Sequence, residues 1–266
     1  MAVLPPHESR ALATRHLGRR MLVFAQLEST NSLALSLATD PSQHGLVLLA
    51  QEQTAGRGQY GRSWQAPPGS SVLLSLLLFA PVELRRSALL VAWAAVAVCE
   101  LISELTGLEA TIKWPNDVLV EGKKVCGILI EQRNSGDAGR PLATVLGIGL
   151  NVTQPAEAFI DVGLPDAGSL LSLSGRRFDA EEVACRLVKQ LDADYDQLVH
   201  GDVAAIESRW KERLALCGRY VRVEAASEVV EGFLTSVAFD RVEVRRGNGA
   251  IVWMRPESVR HIQRLA

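Results

Sequence analysis

Apolar and polar positions follow two different rhythms along this 266-residue chain. Through most of its length, short apolar runs stand between polar breaks: Met21 to Leu27, Gly45 to Gln51, Ser71 to Phe79, Ala110 to Trp114, Val118 to Val120, Val125 to Glu131 and Ala143 to Val152. Each has strand length and an aliphatic, β-prone composition, which predicts buried strands. Helical stretches lie among them. Ser29, Thr30 and Asn31 are N-cap residue types ahead of a short helix, Ser32 to Ala38, which Thr39-Asp40-Pro41 ends. Ala88 to Leu105 is rich in Ala and Leu without Gly or Pro, and reads as a buried helix. Asp179-Ala-Glu-Glu182 has the form of a capping box and opens a helix to Val199; another runs from Asp202 to Leu214. After Cys217-Gly218 the rhythm changes to short alternating strands, Tyr220 to Glu224, Val229 to Val237, Val242 to Arg246 and Ala250 to Met254. The last two meet at Gly247-Asn248-Gly249, so about fifty residues predict a small separate β-barrel. The fold class expected is α+β: a mixed sheet backed by helices over residues 21–214, a barrel over 215–266, and a short extension at 1–20.

Composition narrows the function only by exclusion. The chain is 48% hydrophobic and 22% charged with a formal net charge of −2, so nothing points to general nucleic-acid binding. Cys99, Cys126, Cys185 and Cys217 form no CxxC pair; three sit in apolar runs and are expected as buried reduced thiols. The five histidines lack metal-ligand spacing, so no protein-built metal site is expected. The first twenty residues lack the apolar core of a secretory signal, and the most hydrophobic run, Ala88 to Cys99, is too short to cross a bilayer. A cytoplasmic protein without a membrane partner is the expectation.

The chemistry concentrates in a few constellations. Thr54 to Trp64 reads TAGRGQYGRSW, with Gly56, Gly58 and Gly61 in the pattern GxGxxG. A dinucleotide-binding turn would open a helix there, but Pro67 and Pro68 follow, and two adjacent prolines cannot lie inside one. The stretch is a glycine-rich loop between strands, carrying Arg57 and Arg62, whose backbone N–H groups can face one anion. Arg57 is expected to lack an anion partner until substrate arrives, leaving the loop mobile. Lys113-Trp-Pro-Asn-Asp117 packs a cation, an amide and a carboxylate around a rigid turn, and Lys123-Lys124-Val-Cys-Gly127 places lysines at a strand entry.

Taken in order, Ser29-Thr30-Asn31, Gln53 ahead of the glycine loop, KWPND, K-x-x-G-I-L and Gly147-Ile-Gly-Leu-Asn151 resemble the biotin protein ligases, from about Glu28 to Val152 and more loosely through the barrel. That family joins biotin to ATP as biotinyl-5′-adenylate and passes the biotinyl group to a lysine of a carrier domain. The resemblance implies a class II synthetase-like catalytic domain with an SH3-like barrel. It implies catalytic roles for Lys124, Arg57 and Asp117, with Lys124 touching both the biotin carboxyl and the phosphate. Biotin would meet Ser29, Thr30, Asn31, Gln53, Arg57, Gly58, Gln59, Trp64, Lys124 and Gly127. ATP, arriving with Mg²⁺, would meet Arg57, Gln59, Arg62, Lys113, Asn116, Lys124 and Asn151. The implied partner is the biotin carboxyl carrier domain of acetyl-CoA carboxylase or a related carboxylase, and a homodimer is compatible with the family. Many members add a winged helix–turn–helix that represses transcription; only about twenty residues precede the first strand here, so no DNA partner is expected. Gln59 stands where the loop often carries arginine.

The residues suit that chemistry independently. A ureido ring needs hydroxyl and amide partners of the kind Ser29, Thr30 and Gln53 offer. Attack of a carboxylate on an α-phosphate needs no protein nucleophile, only positioning and positive charge. Three rivals share parts of the pattern. A lipoate ligase has the same chemistry but a glycine-triplet motif, and this chain has no Gly-Gly pair. A non-catalytic biotin sensor could lose the lysine, so the presence of Lys124 argues against it, and a nicotinamide-dependent dehydrogenase is disfavoured by Pro67 and Pro68.

Overall fold

The computed structural model describes residues 5–133, 142–226 and 228–265. Its strands and helices run, in order, Glu8–Arg10 (β1), Met21–Leu27 (β2), Thr30–Leu37 (α1), Val47–Gln53 (β3), Ser71–Leu78 (β4), Ser87–Thr106 (α2), Ala110–Lys113 (β5), Asp117–Val120 (β6), Lys123–Arg133 (β7) and Ala143–Asn151 (β8). Then come Ala156–Asp161 (α3), Leu170–Ser174 (α4), Ala180–Val199 (α5), Val203–Leu214 (α6), Tyr220–Ala225 (β9), Val229–Val237 (β10), Val242–Arg245 (β11), Ile251–Met254 (β12) and Val259–Arg264 (β13). The first eight strands form one sheet in the order β1-β2-β3-β4-β8-β7-β6-β5, and the last five form a second, β12-β11-β10-β9-β13. In the large sheet β2 and β3 pair in parallel while the other neighbours are antiparallel, which makes it mixed. The second is wholly antiparallel, in keeping with an SH3-like barrel.

Strand alternation divides the large sheet into two faces with different tasks. Val72, Leu74, Leu76 and Leu78 of β4, with Leu146, Ile148 and Leu150 of β8 and Cys126 and Ile128 of β7, join the main core. That core is built around α2, in which every residue from Leu89 to Cys99 is buried. The helix is 20 residues long with a mean hydropathy of 2.0, so by length and composition it could cross a bilayer, beyond the shorter run visible in the sequence. Its surroundings explain it better, because 72% of that stretch is buried inside the fold against the sheet, α5 and α6. The opposite face is covered over β2, β3, β4 and β8 by α1, through a smaller cluster that includes Phe24, Ala34, Leu48, Leu77 and Val145.

Several elements depart from the expectation. Residues before Met21 do not stand apart: β1 pairs with β2, and Leu17 is fully buried. The cause is Asp192 on α5, a buried carboxylate that accepts from the backbone N–H of Arg15 at 2.8 Å, His16 at 2.7 Å and Leu17 at 2.8 Å. Short helices α3 and α4 and the final strand β13 carried no periodic signal long enough to read. At α5, Asp179 accepts from Glu182 N at 2.8 Å as a simple N-cap; the reciprocal capping box occurs instead between Ser169 and Ser172. Cys99 and Cys126 are buried as expected, whereas Cys185 is half-buried and Cys217 exposed. Burial pushes the Cys99 thiol up to about 12 and raises that of Cys126 further, so neither ionises near neutrality.

The tie at Asp192 sets a stability test. Asp192→Ala leaves three backbone donors without their charged acceptor, and should cost about 3 kcal/mol. Chemical denaturation would show this as a lower midpoint at unchanged slope; an unchanged midpoint would mean the N-terminal segment contributes nothing to the fold.

Candidate functional site

On the α1 face, beyond the end of that helix, the sheet is floored by small residues. Ser75 of β4 pairs with Gly147 of β8, and Gly147 with Leu129 of β7. One step along, Leu73 pairs with Gly149, Gly149 with Gly127, and Gly127 with Asp117 of β6. The missing side chains are space that other groups use. A Cβ on Gly149 would meet the indole of Trp64 at 2.5 Å, one on Gly127 the same ring at 2.9 Å, and one on Gly147 the Asn31 carboxamide at 2.3 Å. Trp64 therefore lies flat on two glycines, and its Nε1–H is buried without an acceptor among the described residues. The cavity above this floor encloses about 940 Å³ of empty space, part of it open to solvent.

The glycine-rich stretch reaches over the cavity as a small two-armed ribbon. Gly58 N donates to Arg62 O at 2.7 Å and Trp64 N to Gly56 O at 3.0 Å, while Thr54 N and Ala55 N root it on Leu27 O and Glu28 O. Three of its amides, including Arg62 N to Gln59 O at 3.2 Å, are thus spent inside the loop. Tyr60 sits at the tip in the left-handed region with φ 57°. One expectation is corrected, that of Arg57 without an anion partner. It is paired with Glu131 of β7 and also donates to Ser32 Oγ at 3.2 Å.

Lys124 owes its aim to a β-bulge. Val118 pairs with Cys126 but Leu119 with Lys124, so Val125 is the extra residue, and such a bulge re-aims its neighbour. The Lys124 ammonium crosses Gly127, reaches Asp117 Oδ1 at 2.6 Å and stands 5.8 Å from the centre of the Trp64 ring. Behind it, Lys124 N donates to Asp166 O at 2.8 Å and Gly168 N to Lys124 O at 2.9 Å.

At the end of β3, Gln53 Oε1 accepts from Thr30 N at 2.7 Å and from Thr30 Oγ1 at 3.1 Å. Ser29 caps α1 through Ser32 N at 3.4 Å while lining the cavity, so cap and site are one residue. Ser75, fully buried, bonds both Thr30 Oγ1, at 2.7 Å, and Asn31 Oδ1, and Asn31 Nδ2 donates to Glu131 Oε2 at 2.9 Å.

Fourteen of the fifteen residues singled out in the sequence line this one cavity: Ser29, Thr30, Asn31, Gln53, Arg57, Gly58, Gln59, Arg62, Trp64, Lys113, Asn116, Asp117, Lys124 and Gly127. Asn116 does so with its amide partly spent, Nδ2 donating to Ile128 O at 2.7 Å. Asn151 is the exception. It is buried at the end of β8, outside the cavity lining, its Nδ2 donating to Gly168 O at 3.0 Å and its Oδ1 accepting from Gln154 and Ser71, each at 3.3 Å. Its reach ends at the strap that backs Lys124, not in the cavity. Sequence reasoning missed Tyr60 and His261, which line the cavity, the latter from β13, and Glu131 and Ser75, which bond to its lining residues; it had Gly147 and Gly149 as motif members without their role as a floor. The glycines and Glu131 had a signal in the period-two alternation of β7 and β8; His261 had none.

The same arrangement of elements occurs in known proteins. The model of the biotin/lipoate A/B protein ligase family matches residues 23–151. A biotin–[acetyl-CoA-carboxylase] ligase of Mycobacterium tuberculosis is 36% identical over 230 residues, covering 83% of this chain and 82% of its own. The bifunctional ligase/repressor BirA of Bacillus subtilis is 36% identical over 191 residues, 71% of this chain, and the match spans 58% of that relative's length. The structure of biotin protein ligase from Aquifex aeolicus in complex with biotin and ATP aligns with a TM-score of 0.75 at 24% identity, covering 92% of this chain and 99% of that one, a likeness of fold.

The floor makes a prediction about packing. Gly149→Ala should cost about 1–3 kcal/mol by overpacking against the indole. In a chain of this size that is a loss of about 2–10 °C in melting temperature. In a Trp64→Ala background the same substitution should cost almost nothing; a loss that persists there would mean Gly149 does not exist to seat Trp64.

Proposed function

Since the chain belongs to the biotin protein ligases of the biotin/lipoate A/B protein ligase family, we propose that it joins biotin to ATP as biotinyl-5′-adenylate and transfers the biotinyl group to a lysine of a carboxylase carrier domain. The observation that carries this reading is the convergence, over one glycine floor, of a lysine, an arginine-bearing loop and a cluster of hydroxyls and amides. In the first step a biotin carboxylate oxygen bonds to the α-phosphorus while the bond to the bridging oxygen breaks and pyrophosphate leaves. In the second, the acceptor amine bonds to the acyl carbon and AMP leaves with the electron pair. Neither step needs a protein nucleophile, so the chain's contribution is placement and charge.

Each residue has a place in that scheme. Trp64 on its glycines is a flat apolar wall for the bicycle, beside the Ser29, Thr30 and Gln53 polar groups suited to the ureido ring. Lys124 can bridge the biotin carboxyl and the phosphate, with Asp117 orienting it and staying close to any incoming amine. Arg57, Arg62 and Lys113 line the same cavity on the nucleotide side, and Mg²⁺ would come with ATP. Asn151 acts at one remove, through Gly168 and the backbone of Lys124. The direct test is to incubate the protein with ATP, an acceptor carrier domain and either labelled biotin or labelled lipoate. Transfer of biotin alone supports the reading; transfer of lipoate alone replaces it.

Two substitutions test the parts. Lys124→Ala should lower adenylate formation on the order of a hundredfold or more, since a cation aimed at developing phosphate charge is worth several kcal/mol. Near-normal adenylation with an intact fold would remove Lys124 from the chemistry.

Gln59→Arg bears on how long the reactive anhydride stays enclosed. Arginine offers a charged, forked donor where glutamine offers a neutral amide, a difference of about 1–2 kcal/mol or roughly tenfold in release rate. Slower release of labelled adenylate from the arginine variant is expected; no change would mean Arg62 or the backbone already holds it.

A further inference from the structure

A carboxylate beside a cavity that takes anions works against binding unless it has another task. Glu131 is such a group, at the end of the site face of β7, and both of its oxygens are engaged. One accepts from the Arg57 guanidinium and the other from Asn31 Nδ2 at 2.9 Å. Proton counting extends the connection. Asn31 Oδ1 can only accept, since its amide nitrogen is turned to Glu131, so the single Ser75 proton belongs to Asn31 and the Thr30 hydroxyl serves Ser75 or Gln53. One chain of hydrogen bonds therefore runs from the loop through Glu131, Asn31, Ser75 and Thr30 to Gln53.

The ribbon's own backbone bonds, Gly58 to Arg62 and Trp64 to Gly56, fix its shape but not its tilt over the floor. Its roots at Thr54 and Ala55 leave the tip on a long lever. Tilt is set by the side chains that cross from the ribbon to the body: Trp64 on the glycines, and Arg57 on Glu131 and Ser32.

We propose that Glu131 is a positioning residue, a built-in anion that holds the glycine-rich loop over the floor through Arg57 and aligns the first turn of α1 through Asn31. Its effect on biotin affinity rests on the function proposed above; its effect on the loop does not. If only the held fraction of molecules is competent to bind, apparent affinity falls by the same factor as that fraction.

Glu131→Gln isolates the charge, because glutamine keeps the size and an acceptor for Asn31. Hydrogen exchange of residues 54–64 is measured on the full chain without added substrate, at low salt and in about 1 M NaCl, where exposed charge pairs are screened. The pair is partly exposed, so protection at Gly58 and Trp64 should fall about two- to fivefold in the variant, with β4 and β8 unchanged. Wild type should lose the same factor on adding salt, the variant should be indifferent to salt, and Arg57→Gln combined with Glu131→Gln should lose no more than either alone. The dissociation constant for labelled biotin should rise by the factor by which protection fell. Unchanged protection in the variant, or salt-independent protection in wild type, overturns the proposal, and the salt series decides even if the variant fails to fold. Lost protection with unchanged biotin affinity overturns the link to substrate. Wild type that binds no biotin at all would instead sink the proposed ligand, leaving the exchange result to judge Glu131.

Discussion

A helix whose residues are buried without a break from Leu89 to Cys99 has to be wrapped on every side over those turns, and α2 is such a helix. Its burial takes the whole of one face of the large sheet, together with α5 and α6, and forces β4, β8 and β7 to present aliphatic residues there at every second position. This burial fixes the register of the central strands, since a slip by one residue would turn that face outward. The residues between are then free of the core. Under α1 they are apolar; beyond α1 they include Gly147, Gly149 and Gly127, which line the site, and Ser75 and Glu131, which bond to its lining residues.

Small residues make a floor only if something lies on it. Trp64 and Asn31 do so from opposite sides, one from the loop and one from α1, and each occupies the volume that a Cβ would have taken. The two cations at the rim are held in similar ways, Lys124 by Asp117 and Arg57 by Glu131. Both pairs are partly exposed, where an ion pair contributes little net stability and a partner can be exchanged at small cost. Under the function proposed above, that is a suitable arrangement for groups aimed in advance that would hand their charge to a phosphate.

Most of this fold was legible because long apolar runs and strong caps agree with their surroundings. Ser71–Leu78 and Val229–Val237 are strands in which pattern and propensity point the same way, and Ser29 is a cap by residue type and by geometry. The site residues were legible as motif members, which says that they matter but not where they go. Asn151 shows the limit: its motif marks it as a site residue, but no pattern in the sequence connects it to Gly168, seventeen positions on, to which it bonds. Glu131 shows the converse. It ends an apolar strand and reads as a solvated terminus, and only the register that sets β7 beside β8 brings it to Asn31 and Arg57. Partners supplied across a sheet or by a distant strap leave no local trace.

The barrel illustrates the same point at a larger scale. Its strands read as a unit separate from the rest, yet it meets the site through the turn that carries the lysine–aspartate motif. Trp114 is buried, its Nε1 donates to Val259 O at 3.0 Å, and its ring packs at a tilt against Trp210 of α6, which in turn packs at a tilt against Phe239 between β10 and β11. Two residues beyond Val259, His261 enters the cavity. The tryptophan in Lys113-Trp-Pro-Asn-Asp117 is therefore a joint: it lines the cavity together with Lys113, Asn116 and Asp117, and its indole N–H is bonded to the barrel. The turn is placed from both sides, by Asn116 on Ile128 within the sheet and by Trp114 on the barrel, so the position of Asp117, and through it the aim of Lys124, depends on both folded units together.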